Sequence, residues 1–375
     1  MKNLFDFDYD RSILSVSNSL LRYYGLPTLH PSLPFLDEKL SRRRRNVVLL
    51  ILDGMGMDLI AKNLPASSFI RQHVAMPIFS VFPPTTTAAT TAYHSGKSPW
   101  ESGWLGWTSY YKQYDEIIET FRNTAFYSGK ALSTPPPATD VLKYETIYER
   151  IVAHCPEVEF HKVFPPFEKD GVGSFAEMCD KILSLSRRND REKLFCAYWT
   201  EPDHSVHRHG TTAPLIKEIL NDIDANLQRL CDGMRDTLLI VSADHGELDI
   251  EEIYLNDYPG LCDCLLRPPA LEARFTTFWV KEGCHENFVA EFNKVLASDF
   301  RLYTRREFME SGLLGSGERH PLVPEFLGDF VAVALTDKSL RYSTGEKVFP
   351  VLKAEHAGIS EQEMLIPLIL VEKEK

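Results

Sequence analysis

Residues 46–56 read Asn-Val-Val-Leu-Leu-Ile-Leu-Asp-Gly-Met-Gly. An apolar run of this length, with no polar alternation, suits a strand buried on both faces of a parallel sheet. Asp53-Gly54-Met55-Gly56 then signals a turn. Two further runs have the same character: Leu194–Trp199 (LFCAYW) and Thr237–Ser242 (TLLIVS). Each leads into a polar cluster, EPDHSVHRHG after the second run and ADHGELD after the third. Ala213–Leu230 carries Leu215, Ile216, Ile219, Leu220, Ile223, Leu227 and Leu230 near a helical period. Strands alternating with helices predict an α/β fold, a mostly parallel central sheet flanked by helices. In such sheets, sites lie outside the carboxyl ends of the strands. The polar clusters fall there.

Away from these runs, Ser133–Ala138 (STPPPA) marks a loop boundary. From 251 to 353 the patterning changes to short strands such as Thr276–Val280, a helix near Glu286–Leu296 and a turn at Gly312–Gly317. The expected organisation is a core at 1–250 and 354–375, with residues 251–353 inserted as a cap. The basic run Arg42–Arg45 reads as a solvated turn ahead of the first strand.

The chain has 375 residues, 41 basic and 53 acidic, so its formal net charge is −12. That balance argues against binding nucleic-acid polymers or anionic membranes, and suits an acidic site that holds cations. No apolar run reaches the roughly 18–20 residues of a spanning helix. Met1–Asp10 lacks the pattern of a secretory signal. The seven cysteines include no CxxC pair. Reduced thiols and a cytoplasmic location are the expectation. Oligomeric state is not legible.

Several residues carry chemistry. Asp53 follows the first strand, beside two glycines that permit close backbone approach. Phe82-Pro83-Pro84-Thr85-Thr86-Thr87 leads into a helical stretch, whose N-terminal N–H groups would favour a phosphate and a threonine alkoxide. Asp203 and His207 sit at i, i+4, on one face of a helix starting near Pro202, and suit a zinc-type ion. His204 and His209 point elsewhere. Asp244-His245-Gly246 follows the third strand, and His356 lies in Glu355-His356-Ala357-Gly358. Three aspartates, three histidines and a hydroxyl are about what two divalent ions with open positions need.

The segments VVLLILDGMG, FPPTTTAATT, TEPDHSVHRHG, VSADHGELD and EHAGISEQEMLIPLI, in this order, resemble the alkaline phosphatase superfamily and its type I phosphodiesterase/nucleotide pyrophosphatase branch. The resemblance implies an alkaline-phosphatase-like core and two metal sites. Asp53, Asp244 and His245 would hold one ion with the oxygen of the nucleophile, Thr86. Asp203, His207 and His356 would hold the other. Zinc is the implied metal, with manganese the alternative. The implied activity is hydrolysis of a small phosphoester, with a nucleotide among the candidates, through a phosphothreonine intermediate. A monoesterase or phosphomutase of the same superfamily, or a non-catalytic metal-binding relic, are the alternatives. The chain departs from the branch in three places. Thr87 follows the nucleophile instead of a large apolar residue, GWLGWTSYY lacks the branch's asparagine, and Ser102 stands where a histidine is common. Trp104, Trp107, Tyr110 and Tyr111 either line a substrate pocket or pack a loop onto the core.

Overall fold

In the computed structural model, which describes residues 5–375, the run Asn46–Leu52 is a strand with every residue buried. Met1–Leu4, the start of the N-terminal reading, lie outside the described residues. The strand pairs in parallel with Lys193–Trp199 on one side and Thr237–Ser242 on the other. The full order is Val74–Phe79, Leu365–Lys373, Thr237–Ser242, Asn46–Leu52, Lys193–Trp199, Glu159–Val163. Leu365–Lys373 alone runs against its neighbours. The central strands are buried almost throughout and mostly apolar because helices cover both faces. The edge strands tolerate Pro77 and half-buried polar residues.

The helix Pro214–Gly233 opens on a proline and buries Ile216, Leu220, Ile223, Leu227 and Leu230 along one stripe. The helix Ile13–Tyr23 packs against Thr86–Ser95, where the Ser17 hydroxyl donates to the Tyr93 carbonyl at 2.9 Å. Arg44 departs from the expected solvated turn. Its guanidinium is buried, donating to Glu372 at 2.5 Å and also to Glu374, so the C-terminal strand is tied to the start of the first.

A second, antiparallel sheet has the order Phe300–Thr304, Phe330–Ala334, Phe275–Phe278, Ala270–Leu271, Thr108–Tyr111, Glu116–Glu119, Thr124–Ala125. Three of its strands precede residue 251, joined through the pairing Leu271↔Thr108. The division into a core and a 251–353 cap stands as a proposal, with 108–125 sharing the cap's sheet. The core closes on itself where the 251–353 stretch leaves and returns, and one buried ion pair ties that stretch to the core. The short pair Leu248–Asp249 and Ala354–Glu355 returns the chain to the site. Arg274 and Glu363, both fully buried, form a two-point ion pair.

Candidate metal centre and nucleophile

Strand register places the site. Ile51 lies opposite both Tyr198 and Ser242, so the three central strands end nearly level. Asp53, the Asp203–His209 helix and Asp244-His245 all leave from that edge. Close packing there requires glycine. Gly54 has φ +71°, and a Cβ on it would sit 2.4 Å from Glu247 Oε1. A Cβ on Gly246 would sit 2.1 Å from the Gln362 carbonyl.

The helix begins at Asp203, so His207 falls one turn on, and its Nε2 lies 3.2 Å from Asp203 Oδ1. His356 Nε2 lies 3.8 Å from the same oxygen. His245 Nε2 lies 3.3 Å from Asp53 Oδ1, 3.7 Å from Asp244 Oδ2 and 3.3 Å from Thr86 Oγ1. All seven residues singled out in the sequence therefore meet in one place. Two groups of donor atoms lie within 4.8 Å of one another: Asp203, His207 and His356, and Asp53, Asp203 and His245. Asp203 reaches both groups, a shared position that the sequence reading did not assign. Asp244 stands next to the second.

The donors suit divalent cations. Asp53 Oδ1, Asp203 Oδ1 and Asp244 Oδ2 are buried without a hydrogen-bond partner. Each imidazole is turned the same way by a backbone carbonyl. His207 Nδ1 meets Ala354 O at 2.8 Å, His356 Nδ1 meets Pro84 O at 3.1 Å and His245 Nδ1 meets Gly246 O at 3.2 Å. With an ion bound, a proton held on Nδ1 by these carbonyls would leave each Nε2 lone pair aimed at the centre. Burial and the Asp203 charge push the Asp53 carboxyl well above its ordinary range, and burial and Asp53 do the same to Asp244. Burial opposes ionisation of Asp203 too, but His207 outweighs it and holds that carboxyl down. Burial, then His245, keep His356 neutral. A cluster of mutually repelling carboxylates is what cations would relieve.

Thr86 is the first residue of the helix Thr86–Ser95, and its hydroxyl faces His245. Its neighbours do otherwise. Thr85 gives its hydroxyl to Glu272 at 2.6 Å, and the Thr87 hydroxyl is buried without a partner.

Three residues escaped the sequence reading. The Tyr198 hydroxyl donates to Asp53 Oδ2, but Tyr198 lies inside an apolar run and gives no sign of it. Glu247 is fully buried with both oxygens unpartnered, 4.0 Å from His207 Nδ1. Its signal was present in ADHGELD, three residues after Asp244. Glu272 had none.

The centre opens into a cleft of about 1220 Å³ walled by Trp107, Phe121, Phe164, Phe167 and Tyr198 among others. Of the four aromatics left open by the sequence, Trp107 lines the cleft, while Trp104, Tyr110 and Tyr111 are buried in packing. No helix among the described residues is long and apolar enough to cross a membrane.

The sequence pattern of the family described as type I phosphodiesterase / nucleotide pyrophosphatase matches residues 47–356. Human ectonucleotide pyrophosphatase/phosphodiesterase family member 5 is 30% identical over 106 residues, which are 26% of this chain and 22% of that protein. An inactive variant of murine ectonucleotide pyrophosphatase/phosphodiesterase 5 in complex with AMP superposes with TM-score 0.63 at 17% identity, covering 89% of this chain and 88% of the other. Phosphonoacetate hydrolase from Sinorhizobium meliloti 1021, in complex with phosphonoformate, gives 0.61 at 16% identity over 88% and 91%. At such identities the likeness shows the fold alone.

Proposed function

The chain belongs to the type I phosphodiesterase/nucleotide pyrophosphatase family, and from that premise we propose that it is a two-metal phosphodiester hydrolase with Thr86 as nucleophile. The observation that carries this reading is the Thr86 hydroxyl 3.3 Å from His245, amid three unpartnered carboxylate oxygens and three histidine Nε2 atoms. Asp53, Asp244 and His245 would hold one ion with Thr86, and Asp203, His207 and His356 the other. Zinc suits these Asp and His donors best, with manganese the alternative. When bound, the ions would supply Lewis acidity that activates a hydroxyl and offsets phosphoryl charge.

The chain's own residues do the rest. The N–H groups opening the helix at Thr86 hold a phosphoryl oxygen. Thr86 Oγ1 bonds to phosphorus as the bond to the departing alcohol breaks, leaving a threonine phosphoester. In a diester substrate this intermediate keeps the second ester group. Water then displaces Thr86 and restores its hydroxyl. Tyr198 fixes the orientation of Asp53 from behind. The aromatic walls of the cleft give apolar surface for the organic groups of the ester. The AMP held by the murine relative supports a nucleotidyl group as one half of such an ester.

A panel of diester, monoester and nucleotide substrates, with Zn²⁺ and Mn²⁺ added separately, tests the reading. Metal-dependent diester hydrolysis is expected. Full activity in protein shown to be free of metal would overturn it.

A further inference from the structure

Glu272 follows the Ala270–Leu271 strand and lines the same cavity as Thr85, Thr86 and His356. Its Oε1 accepts two hydrogen bonds of 2.6 Å, from the Thr85 hydroxyl and the Trp107 backbone N–H. Thr85 is the residue just before the helix that Thr86 opens, and its hydroxyl is spent on Glu272 instead of the helix end. The carboxyl is therefore pinned one residue from the nucleophile. Both donors meet Oε1, and among the described residues Oε2 has no protein donor. Three of the cleft's basic side chains are engaged elsewhere: Lys162 with Glu168, Arg122 with Glu119, and Arg341 with Glu252 and Glu355. A carboxylate lining the cleft beside the start of the nucleophile's helix adds negative charge to the field that an incoming phosphoryl group meets.

In-line attack leaves three oxygens around the equator of phosphorus. In a diester one of them carries an organic group and no formal charge. In a monoester all three share a double negative charge. We propose that Glu272 makes the site selective for phosphodiesters over phosphomonoesters, by setting a carboxylate against the additional charge of a monoester. The inference rests on Thr86 being the nucleophile. Burial pushes the Glu272 carboxyl up to about 7, against the two hydrogen bonds that lower it; Glu355 adds to the rise and His245 subtracts.

The test compares Zn²⁺-loaded wild type with Glu272→Gln at mildly alkaline pH. The probes are bis(p-nitrophenyl) phosphate, p-nitrophenyl phosphate and, by calorimetry, inorganic phosphate. Glutamine keeps an acceptor for Thr85 and Trp107 and removes the charge. The diester-to-monoester ratio of kcat/KM should fall about tenfold or more in the variant, and phosphate should bind about tenfold tighter. An unchanged ratio and unchanged phosphate affinity, at equal metal content, would overturn the role of Glu272 and leave the hydrolase reading standing. If wild type hydrolyses neither ester, the hydrolase reading falls, and the phosphate titration still decides whether Glu272 repels a dianion. Glu272→Met carries the same prediction should the glutamine variant melt below wild type.

Discussion

Arg274→Met should destabilise the ion-free protein by about 4 kcal/mol and loosen the loop that carries His356. The side chain is fully buried and engages four of its five N–H donors. Nε and Nη2 reach Glu363 at 2.7 and 3.0 Å, Nη1 reaches the Lys338 carbonyl at 2.6 Å, and Nη2 also reaches the Thr336 carbonyl at 2.9 Å. Removal takes a donor from two half-buried carbonyls and leaves the Glu363 charge held only by the Gly358 and Ser360 N–H groups and the Ser360 hydroxyl. Breaking a buried ion pair from one side costs about 3–5 kcal/mol, and the apolar surface of methionine returns part of that. Gly358 is two residues from His356, so metal affinity should fall as well. Urea unfolding of Arg274→Met, Glu363→Met and the double variant measures the effect. The double variant should be more stable than Arg274→Met, since no unpaired charge remains. A cost below about 1 kcal/mol for Arg274→Met, or a double variant as unstable as the two single costs added, would refute the reasoning.

Three other outcomes are expected. His207→Ala should lose about one of two bound ions by elemental analysis, while Asp203→Ala, whose carboxylate reaches both donor groups, should weaken both; equal, full occupancy in both variants would contradict the ligand assignment. Thr87→Val should be neutral or stabilising by up to about 1 kcal/mol in thermal unfolding, because the lost hydroxyl has no partner in the folded protein, and a large loss would contradict that placement. Burial, aided by Lys162, depresses His94 from 6.5 to about 4. The unfolded chain therefore takes up a proton first as the pH falls. The stability that His94 contributes is complete above its unfolded value and is lost on the way down to about 4, a loss of about 2 kcal/mol by about pH 5. His94→Gln should flatten that drop in urea titrations, and an identical drop would count against it.

Much of the fold was legible because the central strands are buried on both faces. Asn46–Leu52 and Thr237–Ser242 have the bounds read from their apolar runs, and Lys193–Trp199 differs by one residue. The Asp203 helix was legible from Pro202 and the i, i+4 pair. The second sheet was not, since pairing Thr108 with Leu271 joins segments far apart in the chain with nothing local to mark it. Ligand types could be read from motifs at strand ends, but the shared reach of Asp203 depends on how two helical turns and two loops converge. Tyr198 and Glu272 act through partners distant in sequence, so no local pattern announces them. Arg44 was misread because four adjacent arginines look solvated until the C-terminal carboxylates arrive beside one of them.

The central claim is that Thr86 attacks phosphorus. Metal-loaded protein exposed briefly to a chromogenic phosphodiester, quenched in acid and examined by peptide mass spectrometry, tests it most directly. The account predicts a phosphoester adduct on Thr86, absent in Thr86→Ala, a variant that should also lose most turnover while still binding metal. An adduct on Thr85, Thr87 or a residue outside the helix, or near-wild-type turnover in Thr86→Ala, would contradict it.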